Sequence, residues 1–203
     1  MKFRLHPVLL PIFFILIVTG GLSLYALLFI SLLIHEAGHL LLARLTGMRV
    51  RSCTIMPYGG EIIFADRLTA PKKDRILVAL GGPVATLLLL IAAMVFPFPG
   101  DDQVIRIQLA LLFLNLLPIL PLDGGQALSA LLETDGNAHE TRAHYLLSSI
   151  FLLGFSIILL LTGLPETLPY VLLALFLFLQ NISVFRFRKY EKAFHDLKIK
   201  QLT

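Results

Sequence analysis

Long apolar runs separated by short polar connectors set the pattern of this chain. From Leu5 to Ile34 there is no formally charged residue, a stretch of 30 residues. A membrane helix needs about 20 residues, so this run is too long for one span and short for two. It predicts a broken pair of helices turning near Thr19-Gly20-Gly21, the second continuing through Arg44. Further spans are predicted at about residues 75–96, 104–122, 146–163 and 168–185, which makes six crossings. Between the second and third, "VRSCTIMPYGGEIIF", residues 50–64, has strand-like composition around a Pro-Tyr-Gly-Gly turn. The expected fold is therefore an all-α membrane protein of about six transmembrane helices, with a short β-hairpin or re-entrant loop near residues 50–64.

Composition and charge agree with that pattern. Of 203 residues 57% are hydrophobic and 15% charged, and the mean hydropathy is +0.86, outside the range of ordinary soluble domains. With the N-terminus placed in the cytoplasm, 16 of the 17 Lys and Arg residues fall on the cytoplasmic side and only Arg106 lies near the opposite face. Both termini are expected to be cytoplasmic. The basic start followed by the apolar run Val8–Val18 imitates a signal peptide, but no A-x-A site follows, so the segment reads as a retained span. The chain divides into a membrane domain, residues 1–185, and a short basic tail, 186–203, expected as a surface-lying helix. A formal charge of +4 on connectors that flank apolar spans faces anionic lipid, which leaves no case for nucleic acid as a partner. The single cysteine, Cys53, has no internal disulfide partner and reads as a small apolar filler.

One stretch departs from the apolar pattern. "LLIHEAGHLLLAR", residues 32–44, places His35, Glu36 and His39 inside a membrane helix, where ionisable groups are costly and mark function. Residues four apart share a helix face, so the two imidazoles project together, about 6 Å apart along the axis. Two such rings can share one metal ion. Glu36 follows His35 by about 100° around the helix, which keeps it from competing as a ligand and leaves it within reach of a metal-held water. This is the H-E-x-x-H arrangement, with the glutamate as general base.

A catalytic zinc takes three protein ligands and keeps a fourth position open. The candidate third ligand is Asp123, the only acid between Asp102 and Glu133, in "NLLPILPLDGGQ", residues 115–126. The predicted spans bearing His35 and leading to Asp123 both run from outside to inside and bring the three residues to similar depth. Pro118 and Pro121 interrupt helical hydrogen bonding before the aspartate, and Gly124-Gly125 permits a tight turn after it. Non-helical backbone at membrane depth is tolerated only inside protein or beside a water-filled cavity.

At these residues the chain resembles the site-2 proteases, intramembrane zinc metalloproteases, over about residues 5–185. "HEAGH" matches the family's first motif and "NLLPILPLDGG" its second. "LHP", "MPYGG" and "LPILPLDGG" resemble the sporulation branch, whose substrate is a membrane-tethered pro-sigma factor. The resemblance implies Zn2+ held by His35, His39 and Asp123, Glu36 as catalytic base, and Asn115 as a polar residue near the site. It also implies a bacterial cell-membrane location, a membrane-tethered protein substrate and membrane inhibitor proteins. Two features depart from the family: Thr86 stands where members often carry Asn, leaving a polar role there in doubt, and only about 18 residues follow the last span, so nucleotide sensing through a further domain is not expected.

The remaining candidates are weaker. A protease must bind its target extended, and a strand edge supplies main-chain pairing, so residues 50–64, with Pro57, Gly59 and Gly60 at the turn, are the candidate substrate-binding segment. Gly81-Gly82-Pro83 reads as a close-packing point of the third span against the HEAGH helix. His139 and His144, five apart, would point about 140° from each other on a helix and read as solvated loop residues. His6 and His195 have no supporting context. A di-iron desaturase would need more clustered histidines, and an aspartyl protease a second membrane aspartate. A non-catalytic metal-binding or peptide-capturing membrane protein is the competing reading, and an intact Glu36 argues against it.

Overall fold

The computed structural model describes residues 2–5, 7, 9–56, 59–64, 70–133 and 138–200. The chain forms two compact units, Met1–Leu117 and Pro118–Thr203.

In the first unit the elements run β1 (Lys2–Leu5), α1 (Leu9–Thr19), α2 (Leu22–Leu45), β2 (Val50–Met56), β3 (Gly59–Phe64), α3 (Lys72–Val95) and α4 (Asp101–Asn115). The expected break of the first apolar run is present. Helix α1 stops at Thr19, and Gly20 turns the chain with φ +74°, a conformation that only glycine adopts without strain. The closest packing is between α2 and α3. A Cβ on Gly38 would lie 2.2 Å from the Gly81 carbonyl oxygen, and one on Gly81 would lie 2.6 Å from that of Gly38. The two backbones touch there because neither residue has a side chain.

Residues 50–64 form the expected hairpin, with β2 and β3 antiparallel and Cys53 opposite Ile62. Its turn residue Pro57 lies outside the described residues. The pattern did not show that β1 adds to this hairpin. Lys2–Leu5, expected as the flank of the first span, pairs parallel to β2 with Lys2 opposite Ser52, giving the order β1-β2-β3. That pairing joins segments some fifty residues apart, and local periodicity carries no information about it.

The second unit holds α5 (Asp123–Leu131), α6 (Ala138–Leu161) and α7 (Leu168–Lys200). Helices α6 and α7 pack on each other and bury Leu146, Leu153, Val171, Ala174 and Leu177. The span expected to reach residue 122 is helical only to Asn115, because Pro118 and Pro121 each lack an amide hydrogen. His144 is exposed as expected, but it stands in α6 and not in a loop. Helix α7 continues without interruption through the basic stretch to Lys200.

This is an integral membrane protein. Helices α2, α3, α6 and α7 are long and apolar enough to cross a bilayer, and they expose large apolar side chains such as Leu88, Met94, Phe151 and Phe176. Helix α1, with 11 residues, and α4, with 15, are shorter than the spans expected of them. At 1.5 Å per residue they fall short of the roughly 30 Å apolar layer. Among the described residues there are thus four membrane-length helices, with α1 and α4 as shorter apolar helices beside them in the chain.

Candidate metal centre

Helix α2 turns His35 and His39 toward α3, where both are buried. Each ring is fixed through Nδ1. That of His39 donates to the Val78 carbonyl at 2.7 Å, and that of His35 lies 2.8 Å from the Thr86 hydroxyl. A carbonyl only accepts, so the His39 proton is on Nδ1 and its Nε2 presents a lone pair. The Gly82 amide nitrogen is also 3.3 Å from His39 Nδ1, but a nitrogen already donating cannot accept, so this approach is proximity and not a second bond. The Thr86 hydroxyl both donates and accepts. When it accepts from His35 Nδ1, the two Nε2 lone pairs turn toward one point.

Those Nε2 atoms are 3.3 Å apart, and the rings stand edge to face, at 80°. Two nitrogens bound at about 2.0–2.1 Å to a tetrahedral zinc stand roughly 3.3 Å from each other. Space is kept open beside them by Gly82, where a Cβ would lie 2.3 Å from His39 Nε2 and 2.5 Å from His35 Nε2. The histidine pair therefore fits a zinc ion in spacing and in room, and the His39 tautomer suits it.

Glu36, half-buried, is next to His35 in α2. Its charge is felt by the sheet: burial pushes the Cys53 thiol up from its ordinary range, and the Glu36 carboxylate pushes it the same way. Asn115 is the last residue of α4 and half-buried, and Gly59 and Gly60 are in β3 opposite Met56 and Ile55.

Asp123 belongs to the second unit. It is buried and is the first residue of α5, after Leu122, whose extended backbone starts the helix. A carboxylate at a helix start is favoured by the aligned peptide dipoles. The following Gly125 is required by packing, since a Cβ there would lie 2.4 Å from the backbone of Ile119. The Leu120-Pro121 peptide is cis.

Sequence reasoning underrated Thr86. It is fully buried and holds the outer nitrogen of His35, although the residue type differs from the Asn that the motif suggested. Val78 had no legible signal at all, because its contribution is a backbone oxygen. Gly82 was legible only as a packing glycine.

The model of peptidase family M50 matches residues 23–100 and 103–161, which include the histidine pair, Thr86 and Asp123. The chain belongs to this family. Stage IV sporulation protein FB of Bacillus subtilis is 32% identical over 137 residues, covering 63% of this chain and 46% of that protein. A zinc metalloprotease of Methanocaldococcus jannaschii is 28% identical over 219 residues, covering 97% of this chain and 62% of that one. The chain thus spans about half the length of these relatives. The fold matches the solved site-2 protease of the same archaeon, with a TM-score of 0.64 at 21% identity over 91% of this chain and 92% of that one. The expected family and its fold are both found. Both histidines lie in α2, a helix of membrane-crossing length.

Proposed function

We propose that this chain is an intramembrane zinc metalloendopeptidase, with His35, His39 and Asp123 as zinc ligands and Glu36 as catalytic base. The observation that carries the reading is the 3.3 Å separation of two Nε2 atoms whose outer nitrogens are both held. Such outer partners fix ring orientation in metal-binding histidines. A buried pair of facing lone pairs is unfavourable unless a cation or proton comes between them. Asp123 completes a two-nitrogen, one-oxygen donor set that suits catalytic zinc. Bound there, zinc supplies Lewis acidity to water and to the scissile carbonyl.

The protein's own groups do the rest. Glu36 accepts the proton of the attacking water and passes one to the departing amine. Thr86 and the Val78 carbonyl keep the imidazoles aimed while charge changes beside them. Asn115 supports the site as a polar neighbour.

Substrate would bind extended. Strand β2 is paired on both sides, so the edge available for an added strand within the hairpin is the outer one of β3, residues 59–64. Prolines introduced where β3 amides point away from β2 should reduce cleavage and leave zinc content unchanged; full cleavage would reject this edge. Similarity to the sporulation protein supports a membrane-tethered pro-sigma factor as substrate, cut near the cytoplasmic face of a bacterial membrane, with inhibition by membrane proteins. Positive-inside charge supports cytoplasmic termini and a six-crossing topology, in which residues flanking the short helices α1 and α4 complete their crossings.

Glu36→Gln tests the assignment. It should retain zinc and abolish cleavage, with membrane-tethered substrate co-purifying. Unchanged cleavage would falsify the role of Glu36, and zinc-replete protein with no peptidase activity in any preparation would favour the non-catalytic, peptide-capturing reading.

A further inference from the structure

Five residues, Pro118–Leu122, lead into α5 outside any helix or strand, yet every one of their carbonyls has a partner. Pro118 accepts from the Tyr145 hydroxyl at 2.9 Å, and Ile119 from the Leu122 amide at 2.9 Å. Leu120 accepts from Asn181 Nδ2, Pro121 from Gln126 Nε2 at 2.5 Å, and Leu122 from the Gln126 amide at 2.9 Å. The Leu120 amide donates to Ser149 Oγ at 3.4 Å. Irregular backbone at this depth must find such partners, because lipid offers none.

Half of these bonds come from side chains of α6 and α7. Tyr145 and Ser149 are one turn apart on α6, and Asn181 is on α7. Ser149 and Asn181 are each 1% exposed. The second hydrogen of Asn181 Nδ2 goes to the Leu177 carbonyl at 2.8 Å. Both acceptors are carbonyls, so the amide cannot be reversed and its orientation is fixed. Leu120, gripped at both its N–H and its C=O, is three residues before Asp123.

We propose that Ser149 and Asn181 are positioning residues for Asp123. They clamp Leu120, and the Gly125 contact with Ile119 folds the chain back onto that clamp. Together these fix where the aspartate leaves the backbone. The inference rests on Asp123 being a zinc ligand, as proposed above.

The test is a zinc-affinity cycle on the full chain in detergent, using chelator competition, with helical circular dichroism as the folding check. Asp123→Ala is measured first; if it binds zinc like the unaltered protein, the ligand assignment itself is wrong. If it binds less tightly, Asn181→Leu and Ser149→Ala are each expected to weaken zinc about 10-fold or more. Ser149→Thr, which keeps the hydroxyl, is expected to bind zinc as the unaltered protein does. In the Asp123→Ala background, Asn181→Leu should add little further loss, because its effect runs through the aspartate. Undiminished loss in that background, or native affinity in both single variants, overturns the clamp. If Asn181→Leu fails to fold, Ser149→Ala carries the same cycle alone.

Discussion

The Nδ1 atom of His35 and the hydroxyl of Thr86 are 2.8 Å apart, joining helices α2 and α3 across 51 residues of sequence. Thr86 is wholly shielded from solvent, so the hydroxyl has no role in hydration. Thr86→Val keeps the shape and removes the partner. It should lower zinc affinity about 10- to 100-fold, the usual cost of losing an outer-shell bond, while Thr86→Ser keeps most of it. Chelator competition reads the difference, and equal affinities would show that the hydroxyl does not orient the ring.

Two glycines on facing helices, Gly38 in α2 and Gly82 in α3, should fail in different ways. A methyl group at Gly82 meets both Nε2 atoms, whereas one at Gly38 meets the α3 backbone. Gly82→Ala is expected to abolish zinc binding with a near-native melting temperature. Gly38→Ala should destabilise the fold by about 1–3 kcal/mol, the range for overpacking. Thermal melts beside zinc content separate the two, and the forecast fails if both variants lose the same property.

Cys53 reports on Glu36. Burial and then the Glu36 charge raise its thiol, so the neutral thiol persists above the ordinary thiol range. Because the folded value exceeds the unfolded one, the associated stability is present below the unfolded pKa and is lost as pH rises through the folded value. Alkylation by a small reagent should accelerate at higher pH than it does for an ordinary thiol. Glu36→Gln removes one of the two causes and should shift the rate profile to lower pH; an unshifted profile would mean that the carboxylate charge does not act on Cys53.

Buried polar pairing predicts an asymmetry between Gln108 and Ser31. Gln108, fully buried on α4, donates through Nε2 to Ser31 Oγ at 2.7 Å, and Ser31 in turn bonds the Leu27 carbonyl at 2.7 Å. Gln108 Oε1 has no partner among the described residues. Gln108→Leu removes that unpaired oxygen and leaves Ser31 satisfied, so stability should hold or rise. Ser31→Ala strands the remaining Gln108 donor and should cost about 1–3 kcal/mol. Melting temperatures in detergent provide the comparison.

The chain order of polar residues was enough to nominate the candidate site. His35, Glu36 and His39 stand out because a membrane helix has few reasons to carry them, and Asp123 because prolines and glycines surround it in an otherwise apolar run. The break at Gly20 and the hairpin at residues 50–64 were legible too, since turns and alternation are local signals. Strand β1 was not legible, because pairing between segments some fifty residues apart leaves no local pattern, whereas the end of α4 at Asn115 was signalled in part by Pro118 and Pro121.

The sequence by itself determined the membrane class, the family and the groups proposed to carry chemistry, because each depends on residue type at fixed spacing. Tertiary structure alone decided that Thr86 and the Val78 carbonyl aim the two imidazoles, that Gly82 keeps the space beside them, and that Ser149 and Asn181 grip Leu120. Those roles arise from atoms brought together across tens of residues, some of them backbone oxygens or absent side chains. Side-chain identity cannot encode them until the helices pack.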